Sequence, residues 1–426
     1  MPDPHKYEIR CPVHGFIRLN DWERTIIDQP PFQRLRRIKQ LGWTDYVYPG
    51  AVHTRFEHSL GVMHVATLLY ESIVHQSEDV LKSQLKYDDN GLDRHKRLVR
   101  LAALLHDLGH GPFSHAAEDL FPVPDGGRER YSHEEYSASI IRSELKDAIE
   151  NHPYNQANYR ITADEIAALI HGESKGEHAL FWRDVVRGQL DADRMDYLLR
   201  DSLHAGVSYG RFDLHRLVGT IVAVPGNEGA GLRLGITEGG WHAAESLVIA
   251  RYLMFTQVYF HKTRVAYDLH LHRALKEILP GGTFPKPDQT GIREFLKWDD
   301  WKVLGLLSNG AGGEHGRRLR ERDHFRNIYH TPETPSLEDL GQLERVRADL
   351  GELVKAEGSG AASWYKAGKL DIPVLSDLRE RITEPLSKRS KVVSAMSPNN
   401  QILLYARRED VPQAKERLKN LRGGQE

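Results

Sequence analysis

The chain has 426 residues, and its 58 Lys and Arg against 60 Asp and Glu give a formal net charge of −2 at pH 7. This balance excludes a polybasic protein that coats nucleic acid through bulk charge, and leaves only a local basic patch for such contacts. No apolar run approaches the ~18 residues of a membrane span, and the first residues lack the apolar stretch of a secretory signal, so we expect a cytoplasmic protein without membrane contact. The single cysteine, Cys11, excludes an intramolecular disulfide and a zinc cluster of thiolates.

Apolar residues spaced three and four apart predict a series of helices along the first 280 residues. The predicted helices cover residues 59–73, residues 98–105 before the stop at Gly109, residues 162–171 between a capping box and Gly172, and residues 190–203. A short hairpin is predicted from residues 220–224 and 233–236, around Gly226, Gly229 and Gly231. After it, residues 241–279 are predicted to form one long helix.

The composition changes after residue 280. Gly and Pro cluster at 281–291 and recur at 309–316 and 332–335, as in loops and domain edges. The tail has apolar runs at 392–393 and 402–405, then an amphipathic helix from Val411. We therefore expect a mainly α fold with three parts: a helical core over residues 1–280, a helical extension over 281–340, and a smaller α+β region over 341–426.

The densest polar cluster in the sequence is HDLGHGPFSH at residues 106–115. It follows an apolar helix, and His106 and Asp107 can reach one ion only if they lie at the end of that helix. A lone His-Asp pair is common by chance and is more often two solvated residues at a helix end. The pair gains weight from His58, which lies near the start of the preceding helix, and from Asp193, which lies near the start of a later one.

Two imidazoles and two carboxylates from three helices, His58, His106, Asp107 and Asp193, form a mixed nitrogen and oxygen site for a divalent metal such as Mn, Fe, Mg, Zn or Ni. Candidates for proton transfer beside this site are His110, His115, Glu118 and His133. Asp193, Tyr197 and Asp201 recur every four residues, so they share one stripe of a helix. Such a stripe is typical of a solvated face, and it is equally suited to the wall of a cleft.

Four strings of the sequence resemble the HD-domain deoxynucleoside triphosphate (dNTP) triphosphohydrolases, a family that includes the vertebrate sterile-alpha-motif-and-HD-domain enzyme and its bacterial relatives. The strings, in chain order, are FQRLRRIKQLG at 32–42, RFEHSLGV at 55–62, HDLGHGPFSH at 106–115 and DADRMDY at 191–197. The resemblance covers roughly residues 7–335 and is weak over the tail. It implies an HD-domain helical core and hydrolysis of a dNTP at the α-phosphorus into deoxynucleoside and inorganic triphosphate.

The resemblance also implies roles for individual residues. His58, His106, Asp107 and Asp193 correspond to the metal ligands, and His115 with Glu118 to the histidine beside the leaving oxygen and its supporting acid. His110 and His133 correspond to the two remaining histidines of the active site. The substrate would be bound by phosphate contacts from Arg55 and Arg194, and by sugar and base contacts from Gln40, Leu41, Tyr197, Asp201 and Tyr267.

A second implication is allosteric activation by GTP or a dNTP. Asp28, Gln33 and Arg36 correspond to residues that bind a guanine nucleotide at a subunit interface, and Arg322 and Arg326 to arginines supplied by the neighbouring subunit. Such a shared site implies a homo-oligomer, either a tetramer or a hexamer.

Two other functions compete with this hypothesis. The same metal ligands serve many phosphoesters, so the substrate could instead be a nucleoside monophosphate, a modified nucleotide or single-stranded nucleic acid. A non-catalytic nucleotide sensor or nucleic-acid-binding module is the third hypothesis, based on the basic runs RRLR at 317–320 and KRSK at 388–391. Such runs are more often solvated helix ends.

Overall fold

A computed structural model describes residues 6–172, 177–225, 231–365, 371–376 and 382–423 of the chain. The described chain is mainly helical with small sheets, which confirms the expected fold class. Among the described residues, no helix has the length and apolar character needed to cross a membrane.

The helices within the described residues are α1 Asp21–Ile27, α2 Pro30–Gln33, α3 Arg55–Gln84, α4 Asp89–Leu105, α5 His133–Ser143, α6 Lys146–Glu150, α7 Pro153–Asn158, α8 Ala163–His171, α9 Glu177–Val186, α10 Ala192–Ala205, α11 Leu214–Val218, α12 Trp241–Met254, α13 Lys262–Ile278, α14 Gly291–Phe295, α15 Asp300–Ser308, α16 Gly313–Arg320, α17 Leu337–Leu350, α18 Leu386–Arg389, α19 Lys391–Ala395 and α20 Val411–Gly423. Short 3-10 segments cover Arg34–Arg37, Gly42–Tyr46, Ser114–Leu120, Glu238–Gly240, Pro280–Gly282 and Gly351–Leu353. A π-helical turn covers Phe255–Tyr259.

The strands are β1 Tyr7–Cys11, β2 Gly15–Leu19, β3 Ile221–Pro225, β4 Leu232–Thr237, β5 Arg326–His330, β6 Ala356–Ala362, β7 Pro373–Leu375, β8 Thr383–Pro385 and β9 Asn399–Ala406. They form an antiparallel β1-β2 hairpin, a sheet of order β3-β4-β7-β8 and a sheet of order β5-β9-β6. The predicted hairpin at 220–236 is confirmed, with Ile221 opposite Ile236. Its predicted turn residues Gly226 and Gly229 lie outside the described residues.

The helices α3, α4 and α10 pack together and position the polar cluster. Helix α3 begins after a capping box in which the Thr54 and Glu57 side chains bind each other's backbone. The last eight residues of α4, from Leu98 to Leu105, are all buried, so the helix ends inside the molecule directly before His106. Helix α10 lies so close to α3 that a Cβ on Gly61 would stand 1.9 Å from the carboxylate of Asp196.

The predicted long helix over 241–279 is wrong, because the chain breaks between α12 and α13. The π-helical turn leads to a hydrogen bond from Phe260 N to Phe255 O, and His261 then adopts an extended conformation. The His261 side chain caps α13 by accepting a hydrogen bond from Thr263 N. Sequence periodicity missed this break because the turn covers only five residues and has helical patterns on both sides of it. The break lets the Tyr259 hydroxyl donate to Asp201.

Candidate metal centre and adjoining pocket

Four side chains converge where α3, the end of α4 and the start of α10 meet. His58 Nε2 lies 3.1 Å from Asp193 Oδ1 and 3.4 Å from Asp107 Oδ2. His106 Nε2 lies 3.1 Å from Asp107 Oδ1 and 3.7 Å from Asp193 Oδ1. The structure therefore brings together all four residues that the sequence predicted as metal ligands.

The four residues suit a divalent metal. His58 Nδ1 donates to Asp196 Oδ2 at 2.8 Å and His106 Nδ1 donates to the Ala103 carbonyl at 2.8 Å, which leaves each Nε2 as a lone-pair donor. Neither buried Nε2 has a hydrogen-bond partner among the described residues. The facing nitrogen and oxygen atoms lie 3.1 to 3.7 Å apart, so they can bind one shared ion.

A buried network behind His58 was not predicted from the sequence. Asp196 is fully buried and accepts from His58, from His14 Nε2 at 2.6 Å, and twice from Arg200 at 2.8 Å. Arg200 also contacts Cys11 Sγ, so the β1-β2 hairpin holds this network from the far side. The signal available in the sequence was the spacing of four residues between Asp196 and Arg200, which is typical of a helical ion pair.

Burial disfavours the charged forms of the side chains at this centre, but the close pairing of opposite charges outweighs that effect. Burial lowers the pKa of His58, yet the nearby carboxylates of Asp193, Asp196 and Asp107 raise that pKa to about 10. Burial likewise works against ionised Asp107, while the Arg55 guanidinium and nearby histidines hold its pKa well below the usual range. The metal-free centre thus carries ionised carboxylates and a protonated His58 at neutral pH.

A second cluster lies beside the first, and the 3-10 segment that follows Phe113 supplies two of its residues, His115 and Glu118. Glu118 Oε1 stands 3.1 Å from His110 Nδ1, 3.0 Å from His115 Nδ1 and 2.9 Å from His133 Nδ1. His110 Nε2 lies 3.3 Å from Asp107 Oδ1, which joins the two clusters. The structure thus also brings together the four residues predicted for proton transfer.

The imidazoles of the second cluster have different proton affinities. Burial, with the charges of Arg55 and His133, lowers the pKa of His110 to about 4. Burial also works against charged His133, but Glu118 raises the pKa of that histidine above its ordinary value. The pKa of Glu118 is well below its ordinary value, because His115 and His133 outweigh the effect of burial. Imidazoles of lower and higher proton affinity, His110 and His133, therefore stand in one cluster, which suits proton transfer.

A cavity of about 410 Å³ opens beside these clusters. Six of the predicted substrate-site and catalytic residues line it: Gln40, Leu41, Arg55, His115, Tyr197 and Asp201. Arg55 connects the cavity to the metal centre, because it hydrogen-bonds both Asp107 and Ser114 Oγ. The further lining residues, which sequence reasoning missed, are Phe113, Ser114, Phe255, Tyr259, Phe260, Arg264 and Ser359 to Ala361.

Two predicted substrate residues lie apart from this cavity lining. Arg194, the residue after the predicted ligand Asp193, donates from Nη1 to Asp191 Oδ2 at 2.6 Å. Tyr267 is fully buried in an aromatic cluster, 4.8 Å from Tyr46 and 5.8 Å from Trp43 between ring centroids.

Two residues that line the cavity, Asp201 and Gln40, present groups that suit a sugar. Asp201 is buried and accepts from His53 Nε2 and from the Tyr259 hydroxyl, each at 2.7 Å, so the position of its carboxylate is fixed. Gln40 is also buried, and its Oε1 has no partner among the described residues. A buried acceptor without a donor is costly, and a ligand hydroxyl would satisfy it.

The residues predicted for an activator site are not among those that line the cavity. Gln33 Oε1 accepts from Arg36 Nε at 2.9 Å, and Asp28 pairs with Arg24 at 3.6 Å. The Arg36 guanidinium covers the Phe56 ring. Of the arginines predicted to come from a neighbouring subunit, Arg322 lies over the Tyr46 ring, 5.2 Å from its centroid, and Arg326 Nη1 donates to the His324 carbonyl.

Comparison with known proteins gives the family. The model of the HD domain matches residues 55–201, which contain all four metal-cluster residues, and the model of the HD associated region matches residues 212–359. Uncharacterized protein MJ1154 of Methanocaldococcus jannaschii is 32% identical over 425 residues, covering 96% of the chain and 81% of that protein. The chain belongs to the HD-domain family. This HD-domain protein is a metal-dependent phosphohydrolase by family, and its cluster of His58, His106 and Asp193 could hold a metal ion.

Other relatives extend the comparison. A crystal structure of a hypothetical protein from Aquifex aeolicus matches the fold with a TM-score of 0.78 and 32% identity, covering 97% of this chain and 99% of that one. A Dictyostelium discoideum protein named deoxynucleoside triphosphate triphosphohydrolase SAMHD1 homolog is 36% identical over 200 residues, or 46% of this chain. A Xenopus laevis protein named deoxynucleoside triphosphate triphosphohydrolase SAMHD1 is 34% identical over 233 residues. The HD-domain protein spans 36% and 35% of the lengths of these two relatives.

Proposed function

We propose that this HD-domain protein is a dNTP triphosphohydrolase that releases deoxynucleoside and inorganic triphosphate. The observation that carries the proposal is one cavity lined by Gln40, Tyr197 and Asp201, in which the lining residue Arg55 also hydrogen-bonds Asp107 of the metal cluster. The likeness to the Dictyostelium and Xenopus proteins named as dNTP triphosphohydrolases supports it.

His58, His106, Asp107 and Asp193 would hold the metal. When bound there, a divalent ion acidifies water and polarises a phosphoryl oxygen. Asp196 keeps the Nδ1 proton on His58, so that Nε2 faces the ion. The chain thereby orients its ligands before the ion arrives.

His115 would protonate the leaving oxygen, and Glu118 would hold its imidazole. Water forms a new bond to the α-phosphorus, the bond from that phosphorus to the sugar O5′ breaks, and O5′ takes a proton from His115. Glu118 lies 3.0 Å from His115 Nδ1, so that Nε2 is the nitrogen that faces the cavity. His110 and His133, in the same cluster, would relay the proton taken from the attacking water.

Arg55 and Arg194 would contact the phosphates. Arg55 uses Nε and Nη1 to bind Ser114 and Asp107, which leaves Nη2, among the described contacts, for a phosphate oxygen. In this proposal Arg194 exchanges part of its pairing with Asp191 for the triphosphate.

The sugar would lie between Tyr197 and the pair of acceptors Gln40 and Asp201. The 3′-hydroxyl donates to one of these acceptors, and Leu41 packs against the ring. Tyr197, pressed near C2′, leaves no room for a 2′-hydroxyl, which gives preference for dNTPs over NTPs. In this proposal Tyr267 acts only through the packing near the base.

Activation by GTP or a dNTP at Asp28, Gln33 and Arg36 belongs to the same proposal. Arg322 and Arg326 of a second copy would complete the nucleotide's phosphate contacts, so the active form would be a tetramer or a hexamer. The three parts of the chain, 1–280, 281–340 and 341–426, would then carry the chemistry, the activator arginines and part of the cavity wall respectively.

Product analysis tests the proposal. The purified protein is incubated with each dNTP in Mg²⁺ and in Mn²⁺, with and without GTP, and the products are separated by ion exchange. We expect deoxynucleoside and triphosphate, at a rate that GTP increases. Release of orthophosphate, or of nucleotides from single-stranded DNA, in place of triphosphate would assign the site to another phosphoester.

A further inference from the structure

We propose that strand β6 of the C-terminal sheet forms the nucleobase-binding wall of the cavity, an inference that rests on the proposed dNTP substrate. Ser359, Gly360 and Ala361 of this strand line the same cavity as His115 and Asp201. The tail of the chain therefore contributes directly to the substrate site rather than only to the overall fold.

Contacts along the cavity set the order of its subsites. At one end Arg55 joins the cavity to Asp107 of the metal cluster. In the middle, Tyr259 donates to Asp201. At the other end the residue after Tyr259, Phe260, lies against β6. In the arrangement that we infer from these contacts, a nucleotide with its α-phosphate at the metal and its sugar at Asp201 has its base beside Phe260 and β6.

Glycine brings the β6 backbone up to this end of the cavity. A Cβ on Gly360 would stand 2.7 Å from the Phe260 ring, and one on Gly358 would stand 2.6 Å from Val265. Such distances are too short for any side chain, so the strand lies directly on α13 and the turn before it. Alternation along the strand then turns Ser359 and Ala361 away from that contact, as exposed residues.

The chemistry of this wall suits a flat heterocycle. The Phe255 and Phe260 rings stack at 5.6 Å and supply an apolar surface. In the described sheet order β5-β9-β6, the strand is at the edge, and an edge strand carries unpaired N–H and C=O groups. These groups can pair with the polar edge of a base, and the small side chains allow close approach. Arg264, the charged group at this end, is held by the Tyr259 carbonyl and by Asp268.

The test adds a large side chain to the cavity-lining part of β6 with Ser359→Trp and, separately, Ala361→Trp. The control is Glu357→Trp, on the same face of the same strand but outside the cavity, where it removes only a surface ion pair with Arg347. The readouts are metal content, melting temperature, and the KM and kcat for triphosphate release from each dNTP. Since stacking of a base is worth roughly five- to 150-fold in affinity, we expect KM to rise at least tenfold in both cavity variants and not in the control.

The possible outcomes separate this inference from the proposed function. If the unaltered protein releases triphosphate and both cavity variants keep its KM, or if Glu357→Trp raises KM equally, the inference is refuted and the function stands. If the unaltered protein hydrolyses no dNTP, the proposed function fails, and calorimetric titration of each dNTP into the Mn²⁺-loaded protein decides the inference. Binding that both cavity variants weaken tenfold then supports it, and binding that is absent or unchanged refutes it.

Discussion

Replacing Asp196 by Asn tests whether the buried network behind His58 orients the metal site. Asp196 accepts from His58 Nδ1, His14 Nε2 and Arg200, and none of these four side chains is more than 3% exposed. An Asn keeps the shape of Asp196 but loses its charge, and its NH₂ group cannot accept from His58 or His14. The change therefore leaves one neutral acceptor oxygen for two imidazoles and weakens the hold on the His58 Nδ1 proton.

Two effects of Asp196→Asn follow from these contacts. The Arg200 guanidinium loses its buried partner, and breaking a buried ion pair costs about 3–5 kcal/mol of stability. The metal loses a correctly oriented ligand, and loss of such an outer partner lowers metal affinity about 10- to 100-fold. Urea unfolding measures the first effect, and competitive titration with a chromogenic Mn²⁺ or Zn²⁺ chelator measures the second.

The matched control is Asp213→Asn, because Asp213 is an exposed residue that caps α11 through Arg216 N, and Asn caps a helix equally well. This control should change neither quantity. An Asp196→Asn protein with unchanged metal affinity would show that Asp196 does not orient His58, even if its stability fell.

Three further predictions follow from the same geometry. His115→Ala should keep its metal content and lose about 10²- to 10⁴-fold in kcat, measured by triphosphate release; loss of the metal would make His115 a ligand instead. The pKa of His58 in the metal-free protein is raised to about 10, so its imidazole is protonated below that pH, and metal must displace this proton. Calorimetry in buffers of different ionisation enthalpy should therefore detect proton release on metal binding, with affinity that falls as pH is lowered from 9 to 7; pH-independent affinity would contradict this. Gly61→Ala places a methyl group against Asp196 and Arg200 and should destabilise the protein by about 1–3 kcal/mol in urea unfolding, whereas Gly305→Ala, which meets no atom within 4 Å, should not.

The sequence was sufficient to predict the helical core and the grouping of the polar residues. Helix periodicity with recognisable stops placed His106 and Asp107 at the end of a buried helix, and the structure has α4 ending at Leu105. The family resemblance then grouped residues that are far apart in the chain, such as His58 and Asp193, which lie 3.1 Å apart. Local pattern alone could not show this proximity.

The parts that could not be predicted depend on tertiary contacts. The helix predicted over 241–279 is broken, because the π turn at Phe255–Tyr259 allows Tyr259 to reach Asp201 on another helix. The role of β6 was equally hidden, since its run of small residues has no periodic signal and its place in the cavity depends on packing against Phe260. The support that His14 gives to Asp196 spans 182 positions of sequence.

The most direct test of the central claim is the position of a water-derived oxygen among the products. The metal-loaded protein hydrolyses a dNTP in water enriched in ¹⁸O, and mass spectrometry measures the label in each product. Attack on the α-phosphorus with cleavage of the bond to O5′ predicts one ¹⁸O atom in inorganic triphosphate and none in the deoxynucleoside. Label in orthophosphate, pyrophosphate or the deoxynucleoside, or no turnover of any dNTP, would contradict the account.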